Sequence, residues 1–187
     1  MELSLNEHDF VRRAVKEGAR LDKRGLSECR PLSIELGNRT GQVMVRLGDT
    51  KVYCMVSADV VVPPVDRPFE GQLQVFVEIF PGAHSPDASA NDLESSRLSL
   101  QRLLDRSIKM SRAVDTESLC ILPGQRVWSV RVDVHVLDDD GGAGDAALIA
   151  AMTAVQAFKR PAVEVVDGAV KVYSSFDRHP VPLTVMH

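Results

Sequence analysis

The stretch QRVWSVRVDVHVLDDDGGAGDAALIAAMTAVQAFK spans residues 125–159 and decides the fold. From Gln125 to Leu137 the side chains alternate, which predicts a strand with one core side and one mixed side. The core side carries Trp128, Val130, Val132, Val134 and Val136, and the other side carries Val127, Ser129, Arg131, Asp133 and His135. After Gly141-Gly142, residues 143–159 are small and apolar nearly all round, which predicts a buried helix that Pro161 ends.

The residues before this stretch predict a meander of strands. Strands are expected at 32–36, 42–47, 51–58 and 72–80, and a loop at 81–90. Gly48-Asp49, between the second and third strands, is typical of a tight hairpin. Nearer the N-terminus, Asn6 is a candidate cap for a helix over 7–17, and Gly18 would end that helix.

A second long helix is expected at 92–114, with one apolar side and one basic side. The apolar side carries Leu93, Leu100, Leu104 and Ile108; Arg102, Arg106 and Lys109 share another side and are joined by Arg97 and Arg112. After the buried helix, a hairpin at 162–173 turning at Asp167-Gly168 and an apolar stretch at 181–186 complete the pattern. The sequence therefore predicts an α+β fold, a mostly antiparallel sheet packed with two long helices.

Composition narrows the classes of function. The chain has 187 residues, a net charge of -4 and 44% hydrophobic residues, so any nucleic-acid contact depends on local basic patches. No apolar run is long enough to suggest a membrane span, and we expect no membrane partner. Cys29, Cys54 and Cys120 lie far apart, which suits neither a disulfide framework nor a zinc site, and we interpret them as buried, reduced thiols.

The mixed side of the strand at 125–137 invites a catalytic interpretation that its spacing argues against. Ser129, Asp133 and His135 could supply a nucleophile, an orienting carboxylate and a base. Neighbours on one strand face are about 6.7 Å apart, whereas a nucleophile and its base must approach to about 3 Å. We therefore expect a solvated or partner-facing polar surface, and no catalytic residue in the chain.

The turn before the buried helix could bind an ion in two ways. Asp138, Asp139 and Asp140 could hold magnesium, but their place between a strand and a helix favours turn and cap roles, and no metal site or cofactor is expected. Gly141-Gly142 could cradle a phosphate on the exposed N–H groups of the helix. Asp145 in the first helical turn would repel that phosphate, so phosphate binding is disfavoured.

Several segments, in order, resemble the ribonuclease PH family over nearly the whole chain. The family's opening segment is resembled by Arg20-Leu-Asp-Lys-Arg24 with Cys29-Arg30-Pro31, and its first hairpin by Gly48-Asp-Thr-Lys-Val52. Its Gln-Arg-Leu helix is resembled by Gln101-Arg-Leu-Leu-Asp-Arg-Ser107. Its strand and glycine turn are resembled by residues Asp133 to Gly142. The resemblance implies a ribonuclease PH core of the type found in ribosomal protein S5 domain 2. It also implies one domain over 1–187 that lacks the C-terminal part of the family.

A narrower resemblance is to non-catalytic ring subunits of the eukaryotic RNA exosome. It is carried by Asp115-Thr-Glu-Ser-Leu-Cys120, Val127-Trp128, Arg131-Val-Asp133, Arg160-Pro161 and Pro180-Val-Pro-Leu183. It implies RNA processing, including that of ribosomal RNA, and RNA degradation in the nucleus, nucleolus and cytoplasm. The implied partners are other ribonuclease PH-like subunits, especially one of the protein 41 type, together with cap subunits and single-stranded RNA.

The departures from the family argue against catalysis. Where phosphorolytic members continue Gly-Gly-Thr-Arg-Thr-Ala, this chain has Gly141-Gly142-Ala143-Gly144-Asp145-Ala146, so Gly144 replaces a phosphate-binding arginine. The position of the family's second phosphate-binding arginine is occupied here by Ser96, and Arg97 lies one position further along. The family's catalytic aspartates follow the segment that closes this sequence. Phosphorolysis needs a bound phosphate and stabilised developing charge, and both requirements are weakened here.

Three functional hypotheses follow. The first is a ring subunit without catalysis, in which Arg97, Arg102, Arg106, Lys109 and Arg112 are candidates for RNA contact. The second is an active phosphate-dependent 3′-to-5′ exoribonuclease with a remodelled site. The third is an independent RNA-binding module, which the low aromatic content of 5% disfavours because such modules stack bases on aromatic rings.

Overall fold

The computed structural model of the chain describes residues 4–20, 23–25, 27–83, 89–166, 168–173 and 178–185. The chain divides into two compact units, one ending at Pro31 and the other beginning at Leu32. Among the described residues, no helix combines the length and the apolar character needed to cross a bilayer.

The described part of the N-terminal unit contains one helix, α1, at Leu5–Lys16. Its cap is Ser4 and not Asn6, so that prediction was wrong. The Ser4 hydroxyl accepts the Glu7 backbone N–H at 3.3 Å, and the Glu7 carboxylate accepts the Ser4 N–H at 2.9 Å. This reciprocal pair satisfies two N–H groups that the helix start leaves without partners, which one Asn side chain cannot do. The prediction that the helix ends near Gly18 is confirmed by a φ of 76° there.

In its described residues, the second unit contains ten strands and two long helices. The strands are β1 Leu32–Leu36, β2 Gln42–Leu47, β3 Thr50–Val61, β4 Gln72–Ile79, β5 Cys120–Leu122, β6 Arg126–Asp138, β7 Lys159–Arg160, β8 Val163–Val166, β9 Ala169–Val172 and β10 Val181–Pro182. The helices are α2 Ala90–Leu104 and α3 Ala143–Ala157, and a π-helical segment, Asp105–Met110, follows α2.

The main sheet has the order β1-β2-β3-β6-β4, with β5 also paired to β6. All neighbours are antiparallel except β4 and β6, which run parallel. Strand β6, between β3 and β4, places Asp133 opposite Met55 on one side and opposite Phe76 on the other. Mixed helices and strands around a mostly antiparallel sheet confirm the predicted α+β fold.

One face of this sheet forms the core with the two helices. The valines of β6 at positions 130, 132, 134 and 136 are fully buried, as the alternation predicted. From α2 and its π-helical extension, Leu100, Leu104 and Ile108 join them. Helix α3 contributes mainly alanines, so it can approach the sheet closely and needs no large side chains to fill the space.

Both long helices end earlier than predicted. The expected helix at 92–114 begins at Ala90 because Ser89 and Asp92 form a second capping box. It does not reach 114, because Arg112 is left-handed and Val114 forms a β-bridge with Val185.

The expected helix at 143–159 stops at Ala157, because Lys159 and Arg160 pair with β10 and Phe158 is extended. The predicted hairpin at 162–173 is confirmed as β8 and β9; Asp167 at its turn and Met186 lie outside the described residues, as do 84–88 in the predicted loop.

Candidate functional site: a degenerate phosphate loop and a basic helix

The loop Gly141–Asp145, which the family resemblance predicts to be a degenerate phosphate loop, joins β6 to α3. Gly141 and Gly142 have φ values of 88° and 72°, a left-handed conformation that side chains other than glycine rarely adopt. The Thr50 hydroxyl, at the start of β3, accepts the Asp140 N–H at 3.0 Å and donates to the Gly141 carbonyl at 2.9 Å. Thr50 is completely buried, so the loop is anchored from beneath by a residue that sequence reasoning missed.

The N-terminus of α3 carries a carboxylate and no cation within this loop. The N–H groups of Asp145 and Ala146 both donate to the Gly142 carbonyl at 3.1 Å. A Cβ added at Gly144 would lie 3.0 Å from Leu103 Cδ2 of α2, so the glycine allows close approach of the two helices. Since Asp145 is exposed at the positive end of the α3 dipole, its charge opposes an incoming phosphate.

The three aspartates at the end of β6 have partners of their own. The Asp138 carboxylate accepts from Lys51 Nζ at 3.1 Å, and the Asp139 carboxylate accepts the Gly141 N–H at 2.9 Å. Asp139 therefore has the turn role that its position predicts. Across the described part of the chain, no three His, Cys, Asp or Glu residues lie together as metal ligands would.

The polar side of β6 is a set of separate contacts. Arg131 Nε donates to both carboxylate oxygens of Asp133 at 2.8 and 2.9 Å, and its guanidinium lies 4.4 Å from the centre of the Phe76 ring. His135 Nδ1 lies 3.2 Å from a carboxylate oxygen of Glu78. Asp133 and His135 thus have different partners, Arg131 and Glu78.

The cysteines differ in environment. Burial raises the pKa of the Cys54 thiol to about 12, which keeps it protonated and unreactive. Cys120 is half-buried, and Cys29 is exposed. The prediction that all three are buried is therefore confirmed only for Cys54. It was wrong for Cys29, which lies outside any strand or helix, and Cys120 is only partly buried.

The basic residues of the α2 region differ in whether a carboxylate already pairs with them. Arg102 and Arg106 are exposed. Arg97 donates two hydrogen bonds to Glu94, at 2.9 and 2.7 Å, which raise the pKa of Arg97 and lower that of Glu94. Lys109 forms an ion pair with Asp105 at 2.7 Å. Arg102 and Arg106 are thus the cations of this helix most available to a phosphate.

Arg112 has an unusual backbone. Its φ is 54°, and its N–H donates to the Lys109 carbonyl while the Ala113 N–H donates to the Ile108 carbonyl. These two bonds form the Schellman motif, in which the left-handed position is usually glycine. An arginine at this position costs about 1 kcal/mol of backbone strain.

Lys109 and Arg112 line one groove, together with Arg67 from the loop before β4. Sequence reasoning missed Arg67, because it lies about forty residues from the helix and no pattern links the two. The groove has a volume of about 950 Å³ and is also lined by Glu70, Asp115 and Glu117, so its charge is mixed. The structure therefore brings Lys109 and Arg112 together, while Arg102 and Arg106 lie outside the groove lining.

The sequence model of the 3′ exoribonuclease family, domain 1, known as RNase PH, matches residues 28–161. With the sheet order and the glycine turn described above, this match shows that the chain belongs to the ribonuclease PH family. The resemblance drawn from the motifs is thereby confirmed.

Among curated proteins, the chain is similar to exosome complex component rrp45 of Schizosaccharomyces pombe. The two are 40% identical over 187 residues, covering all of this chain and 64% of the relative. Exosome complex component RRP45 of Saccharomyces cerevisiae is 38% identical, with 100% and 61% covered, and RRP45A of Arabidopsis thaliana is 42% identical, with 99% and 61% covered. The chain thus spans about three-fifths of the length of these relatives.

Solved structures agree with this assignment. A chain of an archaeal exosome core superposes with a TM-score of 0.72 at 33% identity, over 94% of this chain and 64% of that one. A chain of the Archaeoglobus fulgidus exosome with RNA bound to the active site gives 0.74 at 34% identity, over 94% and 67%.

Proposed function

We propose that this chain is a ring subunit of an RNA exosome that contributes to 3′-to-5′ RNA processing and degradation through assembly and RNA contact, without catalysing phosphorolysis. The names of the curated relatives and of the structural neighbours support the exosome assignment. The observation that carries the non-catalytic part is the degenerate phosphate loop, where Gly144 replaces a cation and Asp145 adds a negative charge.

The chemical argument concerns the phosphate nucleophile. A phosphorolytic site must hold an anion and stabilise the charge that develops as the phosphodiester bond breaks. The loop supplies backbone N–H groups but no positive side chain, and Asp145 lies at the end of α3 where the anion would bind. Both contributions to catalysis are therefore weak in this chain.

RNA contact is assigned to the basic residues of the α2 region. Arg102 and Arg106 are exposed and form no ion pair with a described residue, so they are available for phosphate. Arg112 and Lys109 lie at the groove with Arg67, but Lys109 is paired with Asp105, and Glu70, Asp115 and Glu117 line the same groove. Arg97 is the weakest of the five candidates, because Glu94 already occupies its guanidinium in a two-bond contact.

The partners in this proposal are other ribonuclease PH-like subunits, with one of the protein 41 type as the direct neighbour, cap subunits, and single-stranded RNA. The sites of action are the nucleus, the nucleolus and the cytoplasm. Co-expression with a protein 41-type subunit, followed by native mass measurement, tests the pairing. The mass of a one-to-one complex supports the pairing, and masses of the two separate chains alone contradict it.

A salt titration of RNA binding by the assembled ring tests the RNA role. We expect Arg102→Ala with Arg106→Ala to lower affinity and to reduce the slope of log K against log salt by about 1.4, or 0.7 for each phosphate contact to a single strand. Arg39→Ala, an exposed arginine in the turn before β2, is the matched control and should leave the slope unchanged. An unchanged slope in the double variant removes both arginines from the RNA path.

The rival function is phosphate-dependent 3′-to-5′ exoribonuclease activity of the chain itself, which a structural neighbour with RNA in its active site makes worth testing. Purified chain is incubated with single-stranded RNA and phosphate, and nucleoside diphosphates are measured. Release that Asp140→Ala or Asp145→Ala abolishes supports the rival. No release above that of a phosphate-free control supports a non-catalytic subunit.

A further inference from the structure

A carboxylate lies among the basic residues at the end of α2. Asp105 follows the helix directly, three residues after Arg102 and four before Lys109. Residues three apart on a helix are neighbours on its surface, so an Asp105 side chain turned outward could pair with Arg102. Such a pair would neutralise a cation that the proposed RNA contact needs. Instead, Arg102 is exposed and forms no ion pair with a described residue.

Two side chains hold the two oxygens of this carboxylate. The Gln101 amide donates to the Val75 carbonyl of β4 at 2.7 Å and to Asp105 Oδ2 at 3.1 Å. Lys109 Nζ lies 2.7 Å from Asp105 Oδ1, an ion pair whose angle is not that of a hydrogen bond. That oxygen is itself buried, although the Asp105 side chain as a whole is 37% exposed. Gln101 thus ties the carboxylate to β4, the last strand in the order of the main sheet.

The ion pair with Lys109 determines where the Asp105 charge is stable. Among the described residues, Lys109 is the only cation within ion-pair distance of Asp105. A buried charge without a partner costs free energy, so without Lys109 the carboxylate is more stable when it turns toward water. Its neighbour on that side of the helix is Arg102. Lys109 can therefore support RNA binding without touching RNA, because it keeps a negative charge away from Arg102.

We propose that Gln101 and Lys109 are positioning residues for RNA binding, which hold Asp105 inward so that Arg102 stays free to bind a phosphate. The inference rests on the proposed RNA function and goes beyond it, because Lys109 acts on Asp105 in place of contacting RNA. A direct contact and an action through Asp105 lead to different results once Asp105 has lost its charge.

A double-variant cycle in the assembled ring separates these two roles. Salt titrations with single-stranded RNA are made on Lys109→Met, on Asp105→Asn and on the two changes together. Lys109→Met removes the ammonium and retains an unbranched stem, whereas Asp105→Asn removes the charge and keeps an oxygen for Gln101. Asp59→Asn, an exposed position in β3, is the matched control for the change in net charge. Circular dichroism and native mass measurement check that each variant folds and assembles.

We expect Lys109→Met to weaken RNA binding about threefold, the effect of one exposed ion pair formed at Arg102. Lys109→Arg, which retains the charge, should restore most of that loss. When Asp105→Asn is present, Lys109→Met should change neither the affinity nor the salt slope. Gln101→Met should weaken binding alone and should likewise be rescued by Asp105→Asn. Asp59→Asn should rescue neither variant.

A loss in Lys109→Met that persists with Asp105→Asn, together with a salt slope lower by about 0.7, shows a direct phosphate contact by Lys109 and overturns the inference. Unchanged binding by Lys109→Met or by Gln101→Met also overturns it. Failure of the proposed RNA contact gives a different result. In that case Arg102→Ala with Arg106→Ala leaves RNA binding unchanged, and the inference fails with it.

Discussion

Replacement of Thr50 tests how the degenerate phosphate loop keeps its shape. Thr50→Val retains the side-chain shape but removes the hydroxyl that bonds the Asp140 N–H and the Gly141 carbonyl. Each bond contributes about 1 kcal/mol, so the free energy of unfolding should fall by about 2 kcal/mol. Thr50→Ser retains both bonds and loses one methyl group, which should cost about 0.8 kcal/mol.

Urea denaturation measures these stabilities, and amide hydrogen exchange locates the effect. A loss of about 2 kcal/mol corresponds to roughly 30-fold faster exchange of the Asp140 amide in Thr50→Val. In Thr50→Ser the same amide should exchange at no more than about four times the wild-type rate, because its acceptor is still present. An Asp140 amide that exchanges at the wild-type rate in Thr50→Val refutes the claim that Thr50 anchors the loop.

Three further expectations concern other parts of the chain. Arg112→Gly should raise stability by about 0.5 kcal/mol while weakening RNA binding, because glycine relieves left-handed strain; urea denaturation and RNA titration separate the two effects. Gly71→Ala should cost more than about 2 kcal/mol, since its Cβ would lie 2.7 Å from a β6 carbonyl oxygen. Gly82→Ala, which has open space, should change stability by less than about 0.5 kcal/mol. The Ser89 hydroxyl and then its N–H lower the pKa of Asp92. The resulting support of α2 is present above the carboxyl's ordinary pKa and is lost as the pH falls through the lowered value, and an NMR titration should show Ser89→Ala raising that pKa.

The regular part of the fold could be predicted from the sequence, because β6 and α3 have patterns that suit one structure each. Alternating valines can bury one face of a strand, and a run of small apolar residues suits a helix packed closely against a sheet. The order of motifs around these elements then indicated the family. Local turn signals such as Gly48-Asp49 placed the hairpin between β2 and β3 correctly.

The contacts that define the candidate site depend on residues far apart in the chain. Thr50 bonds the loop about ninety residues later, and Arg67 lines the same groove as Arg112. A single sequence has no signal for such pairs, since neither residue departs from its local pattern. The left-handed backbone of Arg112 could not be predicted either, because the helical periodicity continues through this residue and the glycine usual at such a position is missing.

Equilibrium dialysis of labelled phosphate compares the wild-type chain with a variant carrying Ala143→Thr, Gly144→Arg and Asp145→Thr, which restores the family's loop sequence. Leu103 is exposed at its side chain and can move to admit the arginine. We expect no binding by the wild-type chain at phosphate up to about 10 mM and measurable millimolar binding by the variant. Phosphate bound by the wild-type chain as tightly as by the variant contradicts the loss of the phosphate site.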